Sequence, residues 1–252
     1  MKHVFFSILG IFGMFAVANS QDDSSKKFYL IGNSLTWDTV PSKLDGDVQW
    51  HVGCGKSLPF LFENPADPCV KTSTFWPGAL KAKQYDFVSV QSHYGSTLEQ
   101  DAVVISEWMK LQSKAIFVIH TGWARSAERG EEWASTEAGG AMKHSLAYID
   151  ALIVLLKKNH PTRDIRRTWA MDLLAKVTAD AEAGKAPISD VAELYRDKIH
   201  MNVVTGRYLM HNAMRQALGQ PRSVVGFEKI EPKMKLYLDS VLDTLDQNGG
   251  SE

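Results

Sequence analysis

Apolar residues along this chain gather in short runs separated by polar stretches. Five runs are bounded by turn residues and read as strands: "KFYLIGN" (27–33), "VQWHVG" (48–53), "YDFVSVQ" (85–91), "AIFVIH" (115–120) and "IRRTWAM" (165–171). Elsewhere the apolar spacing changes to three and four. "LEQDAVVISEWMKLQSK" (98–114) sets Ala102, Ile105, Trp108 and Met109 along one face, and "AMKHSLAYIDALIVLLKKN" (141–159) repeats the pattern. "GRYLMHNAMRQAL" (206–218) and "KMKLYLDSVLDTL" (233–245) follow it near the end of the sequence. Strands that are largely apolar and alternate with helices predict a parallel sheet covered on both faces, an α/β protein in three layers. The stretch 121–140 is polar and Gly-rich and reads as a long loop after the fourth strand, on the side where such folds bind ligands. The tail "DQNGGSE" reads as a frayed end, and no repeat or interdomain linker divides residues 21–252.

The first 20 residues break this pattern. Lys2 and His3 precede an apolar run from Val4 to Val17, and Ala18 and Ser20 put small residues where a signal peptidase reads. The run is short of the ~20 apolar residues that span a bilayer. It predicts a signal peptide cleaved before Gln21, export to the periplasm or the medium, and no stable membrane anchor. Lys2 is the one basic residue of this segment, so the remainder carries 27 basic and 29 acidic residues, net −2. That balance offers no basic footprint for nucleic acid and no polybasic patch for a membrane surface. In an oxidising compartment Cys54 and Cys69 are expected as a disulfide, the alternative being two buried thiols. No Cys or His partner stands at finger-like spacing, so no zinc site is expected.

Candidate chemistry begins where the first strand ends, in "IGNSLTWD". Gly, Asn and Ser are ordinary turn residues, but Ser34 also places a hydroxyl at the strand's carboxyl end. A serine is a poor nucleophile without a base. "YRDKIHMNVVTGRYL" supplies one: Asp197 and His200 stand three apart before a predicted helix. In a turn that spacing lets the carboxylate accept the Nδ1–H of the imidazole and leaves Nε2 for Ser34. Taken alone, Asp-x-x-His also occurs as a surface ion pair.

Taken together, the order of these blocks resembles the SGNH, or GDSL-like, serine hydrolases, over about residues 28–218. "GNSLT" resembles the first block, with Ser34 as nucleophile. "GCGKS" (53–57) resembles the second, which implies a backbone N–H from Gly55 in an oxyanion hole shared with the Ser34 N–H. "DKIHMN" resembles the last, with Asp197 and His200. The resemblance implies a flavodoxin-like sheet of five parallel strands and no metal or organic cofactor. Asn33 stands where the family usually has Asp. The third block departs further: the family's Gly-x-Asn is replaced by "VQSHYGST", leaving Gln91 as the expected side-chain oxyanion donor and His93 as a second candidate. The Gly-x-Ser-x-Gly elbow of larger α/β-hydrolases is absent.

His93, His120 and Trp123 are candidates to line the substrate pocket, with His120 reading equally well as a packed histidine at a strand end. His51, His144, His160 and His211 fit structural or surface roles. Trp50, Phe60, Phe62 and Trp76 fit packing around the loop after the second strand. The Gln variant of the third block resembles carbohydrate-active members. The expected activity is therefore hydrolysis of carboxylic esters, foremost a carbohydrate O-acetyl ester, through an acyl-enzyme on Ser34. A lipase or lysophospholipase is the enzymatic alternative. A glycan-binding protein that has lost catalysis is the alternative of another class.

Overall fold

A computed structural model describes residues 25–246. Residues 1–24, which include the predicted signal peptide, and residues 247–252 lie outside the described residues. Five parallel strands form one sheet: β1 (Lys27–Gly32), β2 (Asp47–Val52), β3 (Phe87–Val90), β4 (Ile116–Ile119) and β5 (Ile165–Arg167), in the order β2-β1-β3-β4-β5. Side chains alternate across it as a pleated strand requires. Tyr29, Ile31, Val88, Val90, Phe117 and Ile119 enter one core, and Phe28, Leu30, Phe87 and Val118 another on the opposite face. Both faces therefore need cover, which gives the α/β/α sandwich.

The helices, in chain order, are α1 (Ser34–Asp38), α2 (Leu58–Glu63), α3 (Trp76–Ala82), α4 (Leu98–Leu111), α5 (Arg129–Ala134), α6 (Leu146–Asn159), α7 (Ala170–Glu182), α8 (Thr205–Ala217) and α9 (Pro232–Asp246). α4 and α6 pack beside each other in the core that holds Tyr29 and Ile31. α4 starts at a capping box, with the Thr97 hydroxyl accepting from Gln100 N–H and the Gln100 side chain accepting from Thr97 N–H. α8 covers the other face through Met214 and Ala217, and α9 packs on α8 and α7 in a further core around Leu174, Val177 and Leu238.

The fifth strand is shorter than its apolar run. The Thr168 N–H makes the last bond to β4, to the Ile119 carbonyl at 3.0 Å, its hydroxyl accepts from the Thr121 N–H at 3.0 Å and pairs with His120 Nδ1 at 2.9 Å, and α7 begins at Ala170. The polar stretch 121–140 is not all loop, since it carries α5. Glu132 of that helix accepts from the Tyr94 hydroxyl at 2.5 Å and from the His144 N–H at 2.7 Å. Cys54 and Cys69 are joined in a disulfide, with their Cα atoms 5.6 Å apart. Among the described residues no helix is long and apolar enough to cross a membrane.

The strand order reverses at β1, which lies between β2 and β3. At such a switch point the loops leaving neighbouring strands part and open a crevice at the carboxyl ends. The turn after β1 opens into that crevice.

Candidate active site

That turn is fixed by close packing and buried hydrogen bonds. Gly32 has no room for a side chain: a Cβ there would stand 2.1 Å from Thr36 Oγ1 and 2.9 Å from Gln91 Cβ. Asn33 caps α1, its Oδ1 accepting from the Leu35 N–H at 2.9 Å. Ser34 is thereby the first residue of a helix that begins as the strand ends.

Its Oγ lies 2.9 Å from His200 Nε2. The other ring nitrogen, Nδ1, is 2.9 and 3.0 Å from the two oxygens of Asp197. These three residues are the ones the sequence singles out. Asp197 Oδ1 also accepts from the N–H groups of Ile199 (3.0 Å) and His200 (2.8 Å), so the three-residue spacing closes a tight turn. Desolvation pushes the Asp197 carboxyl up, but the hydrogen bonds from His200 and Ile199 outweigh it and bring it down to about 2. Asp197 is thus an anion at neutral pH, and its oxygens fix the imidazole with Nδ1–H toward them and the Nε2 lone pair toward Ser34. Asn202 holds the end of the loop, accepting from Thr205 N–H at 2.8 Å and Gly206 N–H at 3.2 Å at the start of α8.

Gly55 lies three residues past β2, exposed, at φ +67°. Its N–H makes no hydrogen bond among the described residues. A left-handed conformation of this kind suits glycine.

Gln91 has another task than the expected one. It is fully buried, and its Oε1 accepts from Asn33 N–H (3.3 Å), Thr36 N–H (3.1 Å) and the Thr36 hydroxyl (3.0 Å). Three donors around one oxygen leave no freedom to flip the amide. Its Nε2 donates to the Ser92 carbonyl at 3.1 Å. Gln91 is therefore the floor under the Ser34 turn, and the third-block departure supplies an acceptor for that turn, not a donor to the oxyanion.

His93 follows β3, 7% exposed, with its ring 4.8 Å from Tyr94 and 5.7 Å from His144. Burial, together with the charges of His144, Arg125 and His200, lowers it to about 3, so it is neutral. Its Nδ1 is buried with no partner. A lone pair tolerates that position better than an N–H does, which leaves the hydrogen on Nε2.

His120 and Trp123 are each 1% exposed. Burial and the nearby His144 lower His120 to about 3, against the pull of the Leu35 carbonyl. Trp123 donates its indole N–H to the Ile199 carbonyl at 2.7 Å, inside the Asp197–His200 turn. With Met171, Leu174 and Tyr195 it also lines a cavity of about 420 Å³ that neither Ser34 nor His200 lines. Both residues brace loops; the pocket-lining role expected of them has no surface to act through at Ser34. His51, His144 and His211 are buried, and His160 pairs with Ser106 at 2.8 Å. Phe62, Trp76 and Trp108 form one aromatic cluster, while Trp50 packs on Trp37.

Two residues at this site escaped the sequence reading. The task of Gln91 depends on partners 55 and 58 positions away. Asp38, one helical turn after Ser34, is fully buried although charged. A lone charge on so short a helix was its only local signal.

The architecture is that of the SGNH, or GDSL-like, hydrolase fold. The particular structures it resembles are distant. A candidate GDSL-like lipase from Parabacteroides merdae superposes with a TM-score of 0.50 and 13% identity, over 79% of this chain and 98% of that one. A salicylyl-acyltransferase from a tetracycline biosynthetic pathway superposes at 0.45 and 10% identity, over 79% and 55% of the two chains. A carbohydrate esterase family 2 enzyme with a carbohydrate-binding domain, from Corynascus thermopiles (Myceliophthora fergusii), superposes at 0.38 and 10% identity, over 63% and 60%. No family model matches the chain, and no curated protein matches its sequence.

Proposed function

We propose that this chain is an exported serine hydrolase that cleaves carboxylic esters, with a carbohydrate O-acetyl ester as its substrate class. The observation that carries the proposal is the unbroken hydrogen-bond chain from Ser34 through His200 to Asp197. His200 takes the Ser34 proton as the oxygen attacks the ester carbonyl, and Asp197 stabilises the imidazolium that results. The tetrahedral oxyanion is met by the N–H groups of Ser34 and Gly55. With Gln91 committed to the turn, the neutral His93 is the side chain available as a third donor, through Nε2–H. Collapse expels the alcohol, which takes the proton back from His200. Water then repeats the cycle on the acyl-enzyme.

Two features support a small acyl group on a polar substrate over a long acyl chain. His93, which feels the charge of His200, packs on Tyr94, and Arg125 lies over the Tyr94 ring, so the groups on this side are polar. The apolar cavity beyond Trp123 is lined by neither Ser34 nor His200. The bonded pair Cys54–Cys69, exposed on the surface, supports the export read from the first 20 residues.

Turnover of acetyl esters by the purified protein and by Ser34→Ala tests the proposal. The variant is expected to fall to the uncatalysed background, and a fluorophosphonate adduct is expected on Ser34 by mass spectrometry. Equal rates for the two proteins would leave a binding protein on this fold. A panel of acetylated sugars against longer acyl esters then separates the esterase and lipase readings.

A further inference from the structure

Asp38 is the only acidic residue of α1, and it is fully buried. A buried carboxylate survives as an anion only when it is paired and hydrogen-bonded. Asp38 is both. Its Oδ1 accepts from Arg196 (3.0 Å) and from Nε and NH2 of Arg207 (2.9 and 2.7 Å), and its Oδ2 accepts from the Met201 N–H (2.8 Å). Arg207 lies on α8, while Arg196 and Met201 bracket the turn that holds Asp197 and His200. Every ligand of this carboxylate thus comes from the far end of the chain, 158 to 169 positions away.

The connections close a ring. Ser34 is joined to Asp38 by one turn of α1, and Asp38 to Arg196 by an ion pair. The Arg196 Nε lies 3.8 Å from Asp197 Oδ2, Asp197 holds His200, and His200 reaches back to Ser34. Arg196 therefore stands between two carboxylates. As long as Asp38 holds its guanidinium, one oxygen of Asp197 faces the imidazole without competition. With the Asp38 charge removed, Arg196 has one anion left within reach, the partner of His200, and a guanidinium fork binds a carboxylate well.

We infer that Asp38 is a positioning residue of the hydrolytic site: it sets the distance between Ser34 and His200, and it keeps Arg196 from taking Asp197 away from the imidazole. The inference rests on the serine-hydrolase reading, and goes beyond it by assigning a task to a residue that touches no substrate.

Asp38→Asn keeps the shape but loses the charge. It is expected to lower kcat about 100-fold, as a misplacement of about 1 Å does, with KM nearly unchanged. The double variant Asp38→Asn/Arg196→Gln removes the competitor as well, and is expected to recover about tenfold of that loss through the coupling of the two sites. A purely structural role would instead leave the double variant no more active than Asp38→Asn. Arg215→Lys is the reference for simple loss of a buried ion pair: Arg215 is paired with Asp45 away from the site, so its change should lower Tm and leave kcat alone. Should Asp38→Asn fail to fold, Arg207→Lys, which keeps the charge and loses the fork, is expected to lower kcat in the same direction.

Hydrogen exchange over residues 196–201 is read alongside, and Met201 is expected to exchange faster in the Asp38 variant. An unchanged kcat in the folded variants, or no recovery of kcat in the double variant, overturns the inference. Unchanged exchange at Met201 overturns it even in a protein without Ser34-dependent turnover, an outcome that by itself fails only the ester-hydrolase reading.

Discussion

Two turns flank the candidate site, and they are held by opposite means. The turn after β1 is buried: Gln91 accepts three hydrogen bonds beneath it, Asn33 caps it, and Asp38 anchors its helix. The turn after β2 is exposed. Gly55 there has a free N–H and a left-handed backbone, and its neighbour Cys54 is tied to Cys69. On the proposed function, the first turn holds a reacting oxygen at hydrogen-bond distance from a base, and several directional contacts in a dry setting do that. On the same reading, the second offers an N–H to an incoming ligand, so its donor has to stay unpaired. A covalent link restrains such a segment without consuming the donor it presents.

If that contrast is right, Gln91→Leu is the most damaging change. It strands three buried donors of the first turn and is expected to destabilise the fold by about 4 kcal/mol, at 1–3 kcal/mol for each unsatisfied group less what relaxation recovers. Urea unfolding measures the loss, and fluorophosphonate labelling of Ser34 should slow with it. An unchanged midpoint would mean that the buried turn does not depend on its floor.

Acid should also find the first turn before the second. His211 Nδ1 donates to the Thr39 carbonyl just past α1, and burial lowers this histidine to about 4 in spite of that bond. A base depressed in the folded state binds its proton more readily when unfolded. Stability is therefore whole above about 6.5 and falls as pH drops toward 4, by on the order of 3 kcal/mol for this group at 1.36 kcal/mol per unit. His93, lowered to about 3, adds to the slope in the same window. Denaturation midpoints between pH 7 and 4.5 test this. His211→Gln should flatten the dependence, whereas a slope unaltered by that change would assign it elsewhere.

Replacing both cysteines by serine should destabilise by about 3 kcal/mol, the chain-entropy value for a loop of this separation. Activity per folded molecule should fall with it, because the Gly55 N–H loses its restraint. A variant that is less stable but fully active would show that the disulfide serves the fold alone. The mildest change is Gly55→Ala. An added Cβ meets nothing within 4 Å, so only the left-handed backbone resists it, at a cost of roughly 1 kcal/mol. A loss of kcat much larger than that strain would place the Gly55 amide against the oxyanion.

The same contrast explains what could be read from the chain beforehand. Strands buried on both faces announce themselves as apolar runs, and Ser34, Asp197 and His200 sit in local turn patterns, so their positions were legible. The fifth strand was overextended because "TWAM" is as apolar as a strand. Past the bond from the Thr168 N–H to Ile119 the chain turns into α7, while the Thr168 hydroxyl accepts from the Thr121 N–H, 47 positions away. α7 was missed for the same reason. α1, α2 and α3, of five to seven residues each, are too short to show a helical period. The second turn was legible through its glycines and cysteine. The first was only half so, since Gln91 and Asp38 act on residues brought near by the fold, and their chemistry was visible while their partners were not.

The span of the Ser34–His200 hydrogen bond, 166 residues, also orders events during synthesis. All five strands lie within residues 27–167, so a growing chain can possess its whole sheet and its serine hydroxyl while the imidazole has yet to be made. Until residue 200 emerges and the chain folds back over the switch point, that hydroxyl is chemically inert. On the proposed function, hydrolytic competence arrives late, and the nascent protein is harmless to esters in the compartment where it is made.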